Sequence, residues 1–255
     1  MENPVVQWVP AIWLVAATIV LVPVTRWFSE HVRGLALLLT ANPIAAIYVY
    51  FFLLLPGTLT HELSHLLVAN VLGVRTLRLS LGPKPRPGGE VQFGAVEYQR
   101  ADPLRESLVG LAPLLIGSAL VLVIAHGRLG LGPQAMLQPE ALPARLVAMT
   151  RAQDAWLWVY LLVAIANAML PSAADRRAWS STLIYLVLAA IAIYVTGALL
   201  QARIPAEATS WLAQRIADLA FAFTLTVLLD LLIGGAVWGI EALLGRLLGR
   251  RFGYS

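Results

Sequence analysis

Of the 255 residues, 59% are hydrophobic and only 13% charged, about half the charge density of a soluble domain, which excludes an ordinary water-soluble globule. There is no cysteine, so disulfides and thiolate metal sites are excluded and any metal must be held by histidine and carboxylate. The net charge of +4 is spread over several connecting segments, a pattern of membrane orientation that argues against a nucleic-acid partner.

Hydrophobic runs of roughly 17–25 residues can cross a bilayer, and six such runs are expected here, giving an all-α polytopic membrane protein of about six transmembrane helices. The opening MENPVVQW has neither a basic n-region nor a small-residue cleavage site, so the first run, Trp8 to Thr25, is expected to stay in the protein. With its loop it forms an N-terminal unit, residues 1–42. The second run, about Pro43 to Gly73, is too long for a perpendicular span, and Pro56-Gly57 predicts a kink or break within it.

This second run carries His61-Glu62-Leu63-Ser64-His65 among apolar residues. Positions i and i+4 share one face of a helix, so both imidazoles can bind one Zn²⁺ while Glu62 acts on a water. Such groups are costly at membrane depth and by default mark a functional site. Thr60 and Ser64 read as packing hydroxyls.

From Arg75 to Arg100 the pattern changes. Leu77, Leu79 and Leu81 alternate with polar residues, GPKPRPGG breaks the chain, and Val91, Phe93, Val96 and Tyr98 follow. A small membrane-associated β-hairpin is expected at about 75–100, between spans two and three, with its basic residues facing anionic lipid. Span three is expected at about Ser107 to Ile124, with Gly110 and Pro113 as packing and helix-start residues. An outer loop covers 127–153, and span four runs from about Asp154 to Leu170, stopped by Pro171. Asn167 reads equally as a hydrogen-bond donor near the ligands or substrate and as a helix–helix contact.

Residues 179–255 form a last unit of two spans, about Ser181 to Leu200 and Ile216 to Ile240, and a basic interfacial tail, EALLGRLLGRRFGYS. Asp230 in the sixth span reads as a buried hydrogen-bonded carboxylate in preference to a proton-path group. His31 and His126 fall near span ends and read as interfacial. No polar stretch is long enough for a separate soluble domain.

Catalytic zinc takes three protein ligands and keeps a position for water. With six spans, eleven of the eighteen Lys and Arg residues fall on one side, which the positive-inside rule places in the cytoplasm together with both termini. Spans two and four then both run inward, which brings His61, His65 and Asp175 to one depth and makes Asp175 the candidate third ligand. Beside Arg176 and Arg177, Asp175 also reads as half of a membrane-edge ion pair.

The HELSH motif followed by LLVANVLGVR, the hairpin after it, Gly110-Leu-Ala-Pro113 at the third span and Asn167 to Asp175 at the end of the fourth resemble the site-2 protease family of intramembrane zinc metalloproteases. The resemblance covers about residues 45–178, within a core unit of 43–178. It implies Zn²⁺ held by His61, His65 and Asp175, Glu62 as general base, and Asn167, Gly110 and Pro113 around the ligands or the substrate. It further implies hydrolysis of a peptide bond in or near a transmembrane segment of a membrane-embedded protein or peptide. The setting is the lipid bilayer of a prokaryotic cell membrane, with the active site towards the cytoplasm. The pattern departs at Arg176, where the family has glycine, and at Pro171, Ala112 and Ile116. The alternative is a non-proteolytic membrane scaffold that keeps a structural zinc site. Transport through Asp230 is a third reading, disfavoured because no second half mirrors the first.

Overall fold

In the computed structural model, residues 8–85, 91–132, 153–172, 174–176 and 206–247 are described, with single positions or pairs at 144, 147, 179–180, 182, 184–185, 187–188 and 249. Helix α1 is Val9–Thr40, 32 residues or about 48 Å at the α-helical rise. The expectation that it stops at Thr25 is corrected: Pro23 lies inside the helix, which continues until Ala41 turns left-handed and bonds back to the Leu37 carbonyl. One lost hydrogen bond at Pro23 is offset by the second half of the helix, which buries Phe28, Val32, Ala36 and Leu38.

Asn42 caps α2 (Pro43–Leu53), its side chain accepting from the Ile44 and Ala45 amides. Helix α3 (Leu55–Val71) follows at once with a bend of 68°. The expected break therefore sits at Leu54, just ahead of Pro56, which starts α3 where a missing N–H costs nothing.

The hairpin is present as β1 (Thr76–Pro85) and β2 (Val91–Tyr98), antiparallel from Thr76↔Tyr98 to Pro85↔Val91. Helix α4 (Pro103–Gly127) begins earlier than expected because Asp102 caps it, accepting from the Arg105 amide. Gly110 and Pro113 thus lie inside the helix and not at its start. Helix α5 (Ala155–Ala168) has 14 residues, about 21 Å, shorter than a perpendicular span. Helix α6 (Ala206–Leu247) runs unbroken for 42 residues, so the expected sixth span and the start of the expected interfacial segment are one helix.

Among the described residues, three helices are long and apolar enough to cross a membrane, or four if the bent α2–α3 pair is one span. The chain is consistent with a membrane protein on that basis. Six spans were expected; the fifth, Ser181 to Leu200, lies largely outside the described residues, as do residues 86–90, most of 127–153 and the tail beyond Leu247. The core joins α1, α4, α5 and α6 around Leu21, Val121, Leu162 and Phe221, all fully buried. Ile12, Ile19, Leu232 and Leu247 point outward, so the helices are apolar on both inner and outer faces, as in lipid.

Helices α1 and α6 form the largest helix–helix interface. Trp13 donates to Thr224 at 2.9 Å, Thr25 to Asp230 at 3.3 Å, and His31 meets Glu241 at 2.6 Å. These contacts climb both helices together, so α1 and α6 run parallel. His31 is accordingly buried, not interfacial: because α1 continues past Thr25, it lies inside the bundle against Glu241 and the Trp27 ring. His126 remains exposed at the end of α4.

Candidate metal centre

His61 and His65 stand one turn apart on α3, and the neighbours of their Nδ1 atoms set how the rings point. His61 Nδ1 lies 2.6 Å from the Ala168 carbonyl, and His65 Nδ1 lies 2.8 Å from the Val109 carbonyl. A carbonyl only accepts, so each Nδ1 carries the proton and a neutral ring presents a lone pair at Nε2.

Both acceptors are free for a backbone reason. Ala168 ends α5, where the last carbonyls have no helical donor. Val109 is inside α4, but its donor would be the amide of residue 113, and Pro113 has none.

The two Nε2 atoms face each other at 3.2 Å. Asp175 closes the group, with Oδ1 at 3.2 Å from His65 Nε2 and Oδ2 at 3.6 Å from His61 Nε2. Three acceptors at this range repel unless a cation sits among them. The cation can be a proton on an imidazole or a metal ion. Tetrahedral ligands about 2.0–2.2 Å from a zinc ion stand roughly 3.3 Å apart, close to the separations here. His61, His65 and Asp175 can hold a metal ion; their ligand atoms all lie within 4.8 Å of one another.

Asp175 is presented by a short turn after α5. The Ser172 amide donates to its Oδ2 at 2.7 Å, and the Asp175 amide donates to Ser172 Oγ at 3.3 Å. Gly110 lets α4 touch this turn, because a β-carbon there would run into the Asp175 carbonyl. Arg176 bonds the Ser172 carbonyl instead of Asp175, and Arg177 lies outside the described residues.

Spans two and four were expected to run in the same direction, and α3 and α5 are parallel: Gly57 lies against the Ala164 carbonyl and His61 meets the Ala168 carbonyl, four residues further along each helix.

Glu62 is 6% exposed. Strand β2 packs on it, with Gly94 against its carboxyl. A cavity of about 1100 Å³ opens here, lined by His61, Glu62, His65 and Asp175 and by every residue of β2 from Val91 to Tyr98. Alternate residues of a strand point to opposite faces, so a strand whose successive residues all line one cavity presents its edge to it. The other edge of β2 pairs with β1.

Asn167 points away from the metal group. Its Nδ2 donates to Asp230 Oδ1 at 2.7 Å and to the Val163 carbonyl at 3.0 Å, so the helix–helix reading describes it. Pro113 and Gly110 touch the site through backbone, one by freeing a carbonyl and one by yielding space. The Val109 and Ala168 carbonyls and Glu241 were not found from sequence. Only Val109 left a mark, as the residue four places before a proline within a helical run.

The chain matches no family model, and no curated protein or solved structure is significantly similar to it.

Proposed function

We propose that this chain is an intramembrane zinc metalloendopeptidase of the site-2 protease type, with His61, His65 and Asp175 as ligands and Glu62 as the proton carrier. The observation that carries the reading is the meeting of two Nε2 lone pairs and one carboxylate, with both Nδ1 atoms tied to carbonyls, beside a buried glutamate in a cavity. A zinc ion held there supplies Lewis acidity, polarising a carbonyl and lowering the pKa of water towards about 7. Glu62 takes a proton from the attacking water and later gives it to the leaving amine.

A helical substrate hides its peptide bonds, so it must be held extended. The edge of β2 that faces the cavity, away from β1, accepts such a segment as a third strand, laid along the cavity wall. The bend at Leu54 and the non-helical residues 169–172 and 174–176 surround the site with backbone tolerated at depth only beside protein or water, which suits water entry from one face. The basic residues of the 75–105 segment favour the cytoplasmic side of a prokaryotic cell membrane for that face.

One observation favours the second reading, a scaffold with a structural metal site: β2 packs directly on the Glu62 carboxyl, with Gly94 against it. Glu62→Gln separates the two. Purified Glu62→Gln protein is expected to keep about one zinc per chain and to lose cleavage of a model membrane peptide that the unmodified chain cuts. A chain that binds zinc but cuts nothing before substitution belongs to the scaffold reading, and unchanged cleavage in the variant removes Glu62 as the base. Asp175→Ala is expected to lose zinc, and full retention would take Asp175 out of the ligand set.

A further inference from the structure

Asp230 is fully buried midway along α6, in an apolar stretch of that helix. A carboxylate at membrane depth is costly, and an apolar residue of similar size would pack the helix with less penalty. Adhesion between α1 and α6 does not need it, since Leu21, Phe221 and their neighbours already fill that core. What the carboxylate holds is Asn167, whose Nδ2 donates to Oδ1 at 2.7 Å, while Thr25 donates to Oδ2 at 3.3 Å.

Asn167 gives up something in return. Its own Oδ1 is buried with no hydrogen-bond partner among the described residues, so the amide is set by its donor side alone. The next residue, Ala168, offers its carbonyl to His61 Nδ1 at 2.6 Å. Polar contacts thus run from α6 through the last turn of α5 to an imidazole on α3.

We infer that Asp230 is a positioning residue for the metal group. By holding Asn167 it fixes the last turn of α5, so that the Ala168 carbonyl meets His61 and keeps its Nε2 aimed at His65 and Asp175. The inference rests on the reading of His61, His65 and Asp175 as a metal group. What position 230 must supply is an acceptor, not a charge. Asparagine there offers the same oxygen to Asn167; leucine offers none.

The test is zinc affinity of the purified full-length chain in detergent, by competition with a chromophoric chelator, with size-exclusion profile and helical circular dichroism recorded alongside. Asp230→Leu and Asn167→Ala are each expected to bind zinc about tenfold more weakly while folded, as when a hydrogen-bond support of a ligand is lost. Asp230→Asn is expected to stay close to the unmodified chain. Because both substitutions break one bond, the double variant is expected to be no weaker than either single one. Should Asp230→Leu fail to fold, Asn167→Ala still breaks the bond from the α5 side and leaves Asp230 with Thr25. Undiminished affinity in Asn167→Ala, or in folded Asp230→Leu, overturns the inference. His61→Ala is expected to lose zinc whatever stands at 230. An unmodified chain that binds no zinc overturns the metal reading first, and this inference with it.

Discussion

Pro113 acts on a residue four positions before it. Without an amide hydrogen it leaves the Val109 carbonyl unpaired inside α4, and His65 Nδ1 takes that carbonyl at 2.8 Å. Alanine at 113 would restore the amide and make it compete with the imidazole. The helix itself stands to gain as much as about 3 kcal/mol in propensity, so stability and ring orientation are expected to move in opposite directions. Pro113→Ala should unfold at the same or a higher temperature, yet bind zinc about tenfold more weakly. Equal affinity in a folded variant would show that the freed carbonyl does not aim His65. The two histidines and Glu62 were legible because i, i+4 spacing is a local property of sequence. The carbonyls that orient them were not, because a backbone acceptor carries no residue identity of its own.

The hairpin brings a backbone edge and one small residue to Glu62. Gly94 is the point of contact: a β-carbon built there would stand 2.5 Å from Glu62 Oε1. A larger side chain on β2 must therefore displace the carboxylate while leaving α3, α4 and the Asp175 turn in place. Gly94→Val is expected to keep about one zinc per chain and to cut a model membrane peptide at least about tenfold more slowly, at the low end for moving a proton-transfer group. Metal analysis and peptide cleavage on the same preparation check this, and full activity would mean that Glu62 does not need its present position. The hairpin was legible from period-two alternation and GPKPRPGG, and the α2–α3 break from Pro56. The continuation of α1 past Pro23 was not. Lipid and protein neighbours reward the same apolar residues, so hydropathy marks where a helix can lie but not which face packs or where packing overrides a proline. The Asn167–Asp230 contact was hidden for a related reason: the residues are 63 positions apart, and no local pattern joins them.

The parallel course of α1 and α6 constrains the whole molecule. Helices that cross a membrane in succession alternate in direction, so a first and last span that run the same way require an odd number of crossings. Six crossings would make them antiparallel. Contacts at Trp13–Thr224, Thr25–Asp230 and His31–Glu241 fix the direction at three heights. At about 48 Å and 63 Å, both helices outreach a hydrocarbon core of about 30 Å, so their ends stand in water or headgroups. The start of α1 and the start of α6 then share one face, and the end of α6 lies on the other. Arg246 therefore leaves the side on which a six-span count puts it. The depth of the metal group is untouched, because it depends on α3 and α5 running together. The chain has no cysteine, so single substitutions report without background. Val9→Cys and Glu207→Cys are expected to react with a membrane-impermeant thiol reagent from one side of sealed vesicles, and Leu247→Cys from the opposite side. Labelling of positions 9 and 247 from the same side would mean that α1 and α6 do not both cross in parallel, and would return the even count and its shared face for the two ends.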